Sequence, residues 1–501
     1  SILYKNLNIH YYDKLQVRPN MLYRWMNYQQ FVRNKQMRAS NRTRLYSQYR
    51  QEQVQEKLSQ LGIFSYLDMQ YAPRDTTAAC DTLDVTMQAT FAKPLDAELE
   101  LNVVTKSNDQ TGPGASFGVT RNNVFGGGES WNVKLKGSYE WQTGGGEKSS
   151  LMNSWEMGLS TSLTFPRVVF PHLGKREFDF PATTTFRLYI NQLNRAKYYK
   201  LLSFGGNATY DFQPSRTSRH SITPFKLTFN VLQHQSAEFE KIAEANPALY
   251  VSLRNQFIPA MEYTYTYDNA SVRRIKNPIW WQSTVTSAGN ITSLIYRAFG
   301  KPFNEEDKSL LGAPFAQFVK LNTELRHLWN IDKNNAIASR VAVGALFTYG
   351  NATIAPYSEQ FYVGGANSIR AFTVRSVGPG GYHPEEGKYS YLDQTGTFRF
   401  EANVEYRFRI FKSFWGATFL DAGNVWLLRK DRKLLADGKE ARPDSQLRLK
   451  TFPKQIALGT GVGIRYDMDI LVFRLDFGIP LHLPYDTDRS GYYNVTGAFF
   501  K

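Results

Sequence analysis

The sequence predicts an all-β transmembrane barrel of about sixteen antiparallel strands, preceded by a small α+β domain. Three observations carry that prediction. From Ala97 onward, period-two alternation recurs in segments of about nine to thirteen residues, near the length a tilted membrane strand needs. The connections between these segments are short on one side and long and polar on the other. Aromatic residues make up 15% of the 501 residues, with 30 Tyr and 34 Phe, an excess found in strand-rich proteins and in the girdles of membrane barrels. Mean hydropathy is −0.44, and no stretch approaches the ~18–20 apolar residues of a spanning helix. A chain like this crosses a membrane only as a closed barrel, the other fold that satisfies its backbone in lipid.

The net charge of +16 invites a nucleic-acid reading. The basic residues, however, are spread along the chain, many alternating with apolar residues inside strands, and no recognised nucleic-acid motif or zinc ligand set is present. Anionic lipid and charged protein segments fit that distribution better. The one cysteine, Cys80, excludes an internal disulfide and any multi-cysteine metal site. The opening Ser-Ile-Leu-Tyr-Lys carries no secretion signal, which for an exported chain implies a processed or truncated product with room upstream for further domains or a lipid anchor.

Residues 1–95 read as a separate domain. Leu7 to Tyr12 alternates like a strand, and 21–30 and 44–61 read as helices, the second capped by Gly62. Two strand-like runs follow, Tyr66 to Tyr71 and Leu83 to Phe91, joined by the turn-forming 73–81 segment. The barrel then occupies 96–501. Its clearest strand runs from Phe398 to Ile410, where even positions are apolar and odd positions are Arg399, Glu401, Asn403, Glu405, Arg407 and Arg409. That split puts lipid on one side and a wet lumen on the other. Further strands are expected near 97–106, 115–122, 130–141, 155–165, 183–192, 201–212, 221–235, 256–268, 279–289, 315–329, 336–348, 415–426, 455–467 and 469–477, with a last one within 491–501. Long polar loops fall at 236–255, 290–314, 349–395 and 427–454; the 166–181 segment is long on the short side and has no account in this pattern.

The region 350–396 lacks alternation and is rich in Gly and Pro. Within it, Gly364 and Gly365 allow a tight backbone path, and Arg370 sits between apolar Ile369 and Phe372. Three further stretches stand in a fixed order around it: the 121–129 turn, the Phe419-Leu-Asp-Ala-Gly-Asn-Val-Trp426 strand, and the strand-helix-helix-strand-strand order of residues 1–95. With these the chain resembles the BamA/TamA superfamily of outer-membrane assembly proteins along essentially its whole length. Its N-terminal domain is similar to a POTRA domain, and 364–372 is similar to that family's inward-folded sixth-loop motif. Pro379-Gly-Gly381 and Trp415 to Asp421 look most like the TamA-like (TamL) branch of Bacteroidota. Ala371 departs from the motif, which has Gly there.

The resemblance implies that Arg370, with Ile369, Phe372, Gly364 and Gly365, forms a loop-barrel clamp against Glu405, Asp421 and Gly423. Alternation independently turns Glu405 inward, whereas the facing of Asp421 is ambiguous because it shares parity with Trp415, Ala417 and Phe419. Either the clamp only holds the fold or it takes part in turnover. The resemblance also implies a weak seam between first and last strands, with Ala97, Leu99, Leu101 and Val103 on a lateral gate that pairs with client strands. Implied partners are unfolded outer-membrane protein clients, outer-membrane lipids and lipopolysaccharide, and, through the N-terminal domain in the periplasm, a TamB-like inner-membrane-anchored partner or accessory lipoproteins. The rival readings are a partner-protein secretion pore and a passive outer-membrane channel. No cofactor, metal or nucleic acid is expected. No G-x-S-x-G, H-E-x-x-H or P-loop sequence is present and the seven His are scattered, so no enzyme is expected. The ending Gly497-Ala-Phe-Phe-Lys501 implies either a short final strand or a chain that stops before it.

Overall fold

A computed structural model describes residues 1–26, 46, 48–77, 80, 82–105, 110–142, 154–169, 182–195, 199–237, 240, 255–270, 275–300, 302, 309–310, 313–350, 355–384, 394–430, 442–468 and 472–495. The N-terminal part holds β1 (Ile2–Tyr4), β2 (Leu7–Ile9), α1 (Pro19–Met26), α2 (Gln48–Gln60), β3 (Phe64–Pro73) and β4 (Leu83–Phe91). The first expected strand is therefore shorter than the sequence suggested, and it pairs with the preceding Ile2–Tyr4 as a small hairpin separate from the β3–β4 pair. Gly62 closes α2 with φ of 66°, a conformation glycine adopts without a Cβ penalty. The 27–30 and 44–45 portions of the expected helices fall outside the described residues. Two apolar clusters hold this part together, one around Val17, Met21, Leu22 and Ile63, the other around Val54, Leu58 and Met69.

One sheet makes up nearly all the rest. Its strands are β5 (Leu95–Thr105), β6 (Gln110–Asn122), β7 (Ser130–Gln142), β8 (Ser154–Phe165), β9 (Ala182–Arg195), β10 (Tyr199–Phe212), β11 (Ser218–Gln235), β12 (Gln256–Asp268) and β13 (Ile279–Ala288). A helix, α3 (Asn290–Ala298), and two short strands, β14 (Ser309–Leu310) and β15 (Ala313–Pro314), precede β16 (Phe318–Asn330) and β17 (Asn335–Thr348). The sheet ends with β18 (Phe398–Phe411), β19 (Phe414–Trp426), β20 (Ala457–Asp467) and β21 (Val472–His482). Leaving out β14 and β15, every strand pairs antiparallel with its sequence neighbour, giving a 15-stranded up-and-down sheet with β5 and β21 at its edges. Gly491–Val495 form no strand, and 496–501 lie outside the described residues, so the expected final strand in 491–501 is absent where it can be described.

Two boundaries moved for identifiable reasons. The second barrel strand starts at Gln110, not 115, and takes in Gly112, Pro113 and Gly114. A Cβ at Gly112 would stand 1.7 Å from the carbonyl oxygen of Tyr139, so the backbones approach there as only glycine permits. The last strand runs on to His482 through Gly478 and Pro480, because an edge strand tolerates a residue without an N–H. The 290–314 segment is not simply a polar loop, since it contains α3.

Alternation decides which side chains meet lipid. Leu99, Phe117, Leu135, Leu159, Ile190 and Phe204 are directly paired across successive strands and form an exposed apolar row on the outer wall. Inside, the core lies toward the long-loop rim, where Ile258, Ala288, Phe318 and Leu346 of the wall pack on Phe361, Val363, Ile369 and Phe372 of the 349–397 loop. The N-terminal domain meets the opposite rim. There Arg18 N donates to Gly126 O at 2.7 Å and Asn123 Nδ2 to Gln16 O at 2.8 Å, so the 121–129 turn joins the two parts. Among the described residues no helix is long and apolar enough to cross a membrane.

Candidate functional site

The long loop between β17 and β18 enters the barrel as a tight hairpin. Gly364 and Gly365 have φ of 104° and 94°, and a Cβ on Gly364 would lie 2.0 Å from Thr373 O. Both features exclude larger residues and let Gly365 N reach Phe372 O at 2.7 Å and Arg375 N reach Val363 O at 3.0 Å. Ser368 Oγ accepts from Gly364 N at 3.0 Å. The hairpin projects Arg370 between Ile369, fully buried, and Phe372, nearly so. Ala371 takes no left-handed conformation, which is why alanine suffices where the resembling motif has glycine.

Arg370 meets both carboxylates named from the sequence. Its backbone N and its Nε donate to Asp421 Oδ2 at 3.0 and 2.8 Å, its Nη2 donates to Asp421 Oδ1 at 2.9 Å, and its Nη1 donates to Glu405 Oε2. The guanidinium also lies 3.5 Å above the Phe419 ring centroid, a cation–π contact in a desolvated place. Asp421 is fully buried and also accepts from Asn403 Nδ2 at 2.8 Å. Its facing, ambiguous in the sequence, is inward: Ala417, Phe419, Asp421 and Val425 are buried on the inner side while Leu420 is exposed. A planar fork matched to two oxygens, plus a backbone N–H on the same carboxylate, fixes loop position as well as charge.

The pair sits in a wider network. Glu405 also binds Arg407 at 2.8 Å and Arg465 at 3.1 Å, Arg465 reaches Asp476 at 2.6 Å, and Arg474 reaches Asp476 at 3.2 Å. Four arginines thus face three carboxylates, and the loop supplies only one of the seven. Arg474 and Asn403 also hold the loop backbone, donating to Ala366 O and Ser368 O at 2.8 Å each. A neighbouring group on β16–β18 joins Arg340 to Glu324 at 3.0 Å and to the nearly inaccessible Glu401 at 2.8 Å. The sequence alone does not assign Arg465, Arg474, Asp476 or Asn403 to the clamp. Their signal was present, since each is a charged or amide residue at an inward position of an alternating strand.

Glycines make the seat. A Cβ on Gly459 would stand 2.5 Å from the Ala371 Cβ, one on Gly478 would stand 3.1 Å from the Ala371 Cα, and one on Gly423 would stand 3.2 Å from Ile369 Cδ1. Gly423, predicted with the clamp, therefore lies against Ile369. The expected gate residues lie elsewhere, at the far edge of the sheet. Ala97, Leu99, Leu101 and Val103 are exposed on the outer face of β5, the last three by 66, 73 and 72%.

Fold and site together define a class, a transmembrane β-barrel whose longest loop is folded into the lumen and fastened to the wall through a buried arginine. The Omp85 superfamily domain matches residues 123–500, and the chain belongs to that superfamily. It is an outer-membrane β-barrel protein of an assembly and transport family rather than an enzyme family. Among solved structures, BamA from Haemophilus ducreyi lacking POTRA domains 1-3 is similar, with a TM-score of 0.55 at 14% identity over 88% of this chain and 75% of that one. CdiB from Acinetobacter baumannii has a TM-score of 0.47 at 12% identity, over 87% of this chain and 65% of that one, too low to add weight. At such identities the likeness concerns the fold alone.

Proposed function

We propose that this protein inserts client proteins into, or moves them across, the outer membrane by strand pairing at the β5 edge, with the Arg370 clamp holding the loop to the opposite end of the sheet. The observation that carries this reading is the asymmetry between those two ends. The loop is bound through charge and glycine packing to β18–β21, whereas β5, the other edge strand, is exposed at every residue from 95 to 103 and has a strand partner on one side only among the described residues. An edge strand offers unpaired N–H and C=O groups to any extended segment, giving affinity without a demand on client sequence. The exposed Leu99, Leu101 and Val103 keep such a segment at lipid depth. No covalent chemistry is required.

On the same reading, residues 1–95 form a POTRA-like periplasmic module that receives clients and contacts a TamB-like partner or accessory lipoproteins. The contact between 16–18 and the 123–126 turn supports a module seated at the periplasmic rim. A sixteenth strand completes the barrel next to β5, and the loop motifs favour the TamL branch. The test is insertion of a urea-denatured client barrel into liposomes containing the protein. Acceleration over empty liposomes is expected, and cysteine crosslinks between β5 and that sixteenth strand should stop it. Unchanged insertion after complete crosslinking would sink lateral opening. No acceleration, combined with ready conductance in planar bilayers once the clamp is broken, would favour a secretion pore or passive channel.

A further inference from the structure

The apolar row on the outer wall does not end at Phe204. It continues through directly paired Phe229 to Phe257, and there it changes. Phe229 is half-buried and Phe257 is only 7% exposed, because the segment after β13 folds back over it. Phe315 bridges Phe257 and packs against Tyr296 of α3, with the two rings tilted and their centroids 5.8 Å apart. Here the chain covers its own lipid-facing surface.

What it presents instead is α3. Gly289, with φ of 71°, turns the corner from β13, and a Cβ there would meet Ala316 O at 2.3 Å. The helix is held by its polar side. Ser293, fully buried, donates to Gln317 Oε1 at 3.0 Å, and Asn290 Oδ1 accepts from Gln317 Nε2 at 3.1 Å and from Tyr349 OH at 2.9 Å. The opposite face carries Ile291, Leu294 and Ile295, with Phe299 just beyond the helix, exposed by 52, 61, 50 and 84%. Their spacing, i, i+3, i+4 and i+8, makes one stripe pointing away from the barrel.

We propose that α3 lies in the plane of the outer leaflet, with Ile291, Leu294, Ile295 and Phe299 inserted at the boundary between lipid headgroups and acyl chains. The occupant follows from continuity. The surface that α3 covers belongs to the lipid-facing row, so the stripe extends an apolar surface that already meets acyl chains. Its rim is the long-loop rim, opposite the contact with the N-terminal domain. Arg297, in the last turn and off the stripe, suits anionic headgroups. This inference is independent of the insertion mechanism, and its choice of leaflet rests on the proposed periplasmic seat of residues 1–95.

The test uses the full chain with Cys80→Ser, reconstituted in vesicles of phosphatidylcholine and phosphatidylglycerol. An environment-sensitive fluorophore is placed on Leu294→Cys, Phe299→Cys or, as an aqueous control, Lys450→Cys, which is exposed in the loop before β20. Nitroxide carried high on the acyl chains should quench the first two several-fold more than aqueous iodide does, and the order should reverse at Lys450. Iodide quenching at 294 and 299 as strong as at 450 would overturn the proposal. So would protection from both quenchers that grows with protein density, which would mean that a second copy covers the stripe. Leu294→Ser with Phe299→Ser leaves the polar anchoring side intact, and it should return a reporter at Ile295→Cys to the iodide-accessible class. A reporter that stays lipid-quenched in that variant would likewise count against the stripe as the inserting surface.

Discussion

The two ends of the sheet are built differently. Among the described residues from 95 to 255, Tyr199 is the only buried apolar side chain, and the inward positions are Thr, Ser, Asn and solvated pairs such as Lys136–Glu156 at 2.9 Å. From Phe257 onward the inner wall is a packed core of wall and loop residues, bordered by buried carboxylate–arginine groups. One wall is therefore a seat and the other a wet surface with little to resist displacement. The contrast teaches where movement is cheap, because separating β5 from a neighbour disturbs no packed core, whereas shifting β19 or β20 breaks the clamp.

The largest effect is expected from Arg370→Glu, which leaves Asp421 and Glu405 buried beside a third carboxylate. Breaking a buried pair costs about 3–5 kcal/mol, so client insertion should be lost and the heat-induced mobility shift on gels should move to lower temperature. Adding Glu405→Arg should restore part of both; no rescue would argue that Glu405 is not the working partner. Next, Asp421→Asn should destabilise more than Glu405→Gln. Asp421 accepts three bonds from Arg370 and has no other cation within ion-pair distance among the described residues, whereas Arg407 and Arg465 also surround Glu405. Equal melting shifts for the two variants would count against the geometry.

A smaller effect belongs to the seat. Gly459→Val drives a side chain into Ala371 and should cost about 1–3 kcal/mol through overpacking, read as protease cleavage within 361–376 at lower enzyme concentration. Intact protection would mean that the loop does not rely on the glycines. The smallest is on the other wall, where Lys136→Met removes a solvated pair worth at most about 1 kcal/mol. Its thermal transition should stay within error of the parent, and a large shift would erase the contrast between the walls.

Much of this was readable in the sequence, and the limits have physical causes. The strand from Phe398 to Ile410 declared both its faces because its apolar and charged residues never mix, so Glu405 could be turned inward unaided. Asp421 could not, because its strand carries aromatic and small residues on both parities. Phe419 shares the inward parity of Asp421, and only in the folded chain does the Arg370 guanidinium come to stack on its ring. Pro480 hid the end of β21, since a proline reads as a strand stop unless the strand is known to be an edge. The helical stripe of α3 is present in the sequence, but nine residues between two strands are too short a run to stand out from a polar loop.

The sequence by itself determined the period-two faces, the alternation of short and long connections, and the hairpin-forming glycines around Arg370, because each rests on backbone geometry or a residue's own chemistry. Only the tertiary structure decided that Asp421 is the principal partner, that Gly459 and Gly478 leave room for the loop, and that Phe257 is covered by its own chain. Those outcomes depend on groups far apart in sequence meeting at van der Waals or hydrogen-bond distance, and no local pattern encodes such a meeting.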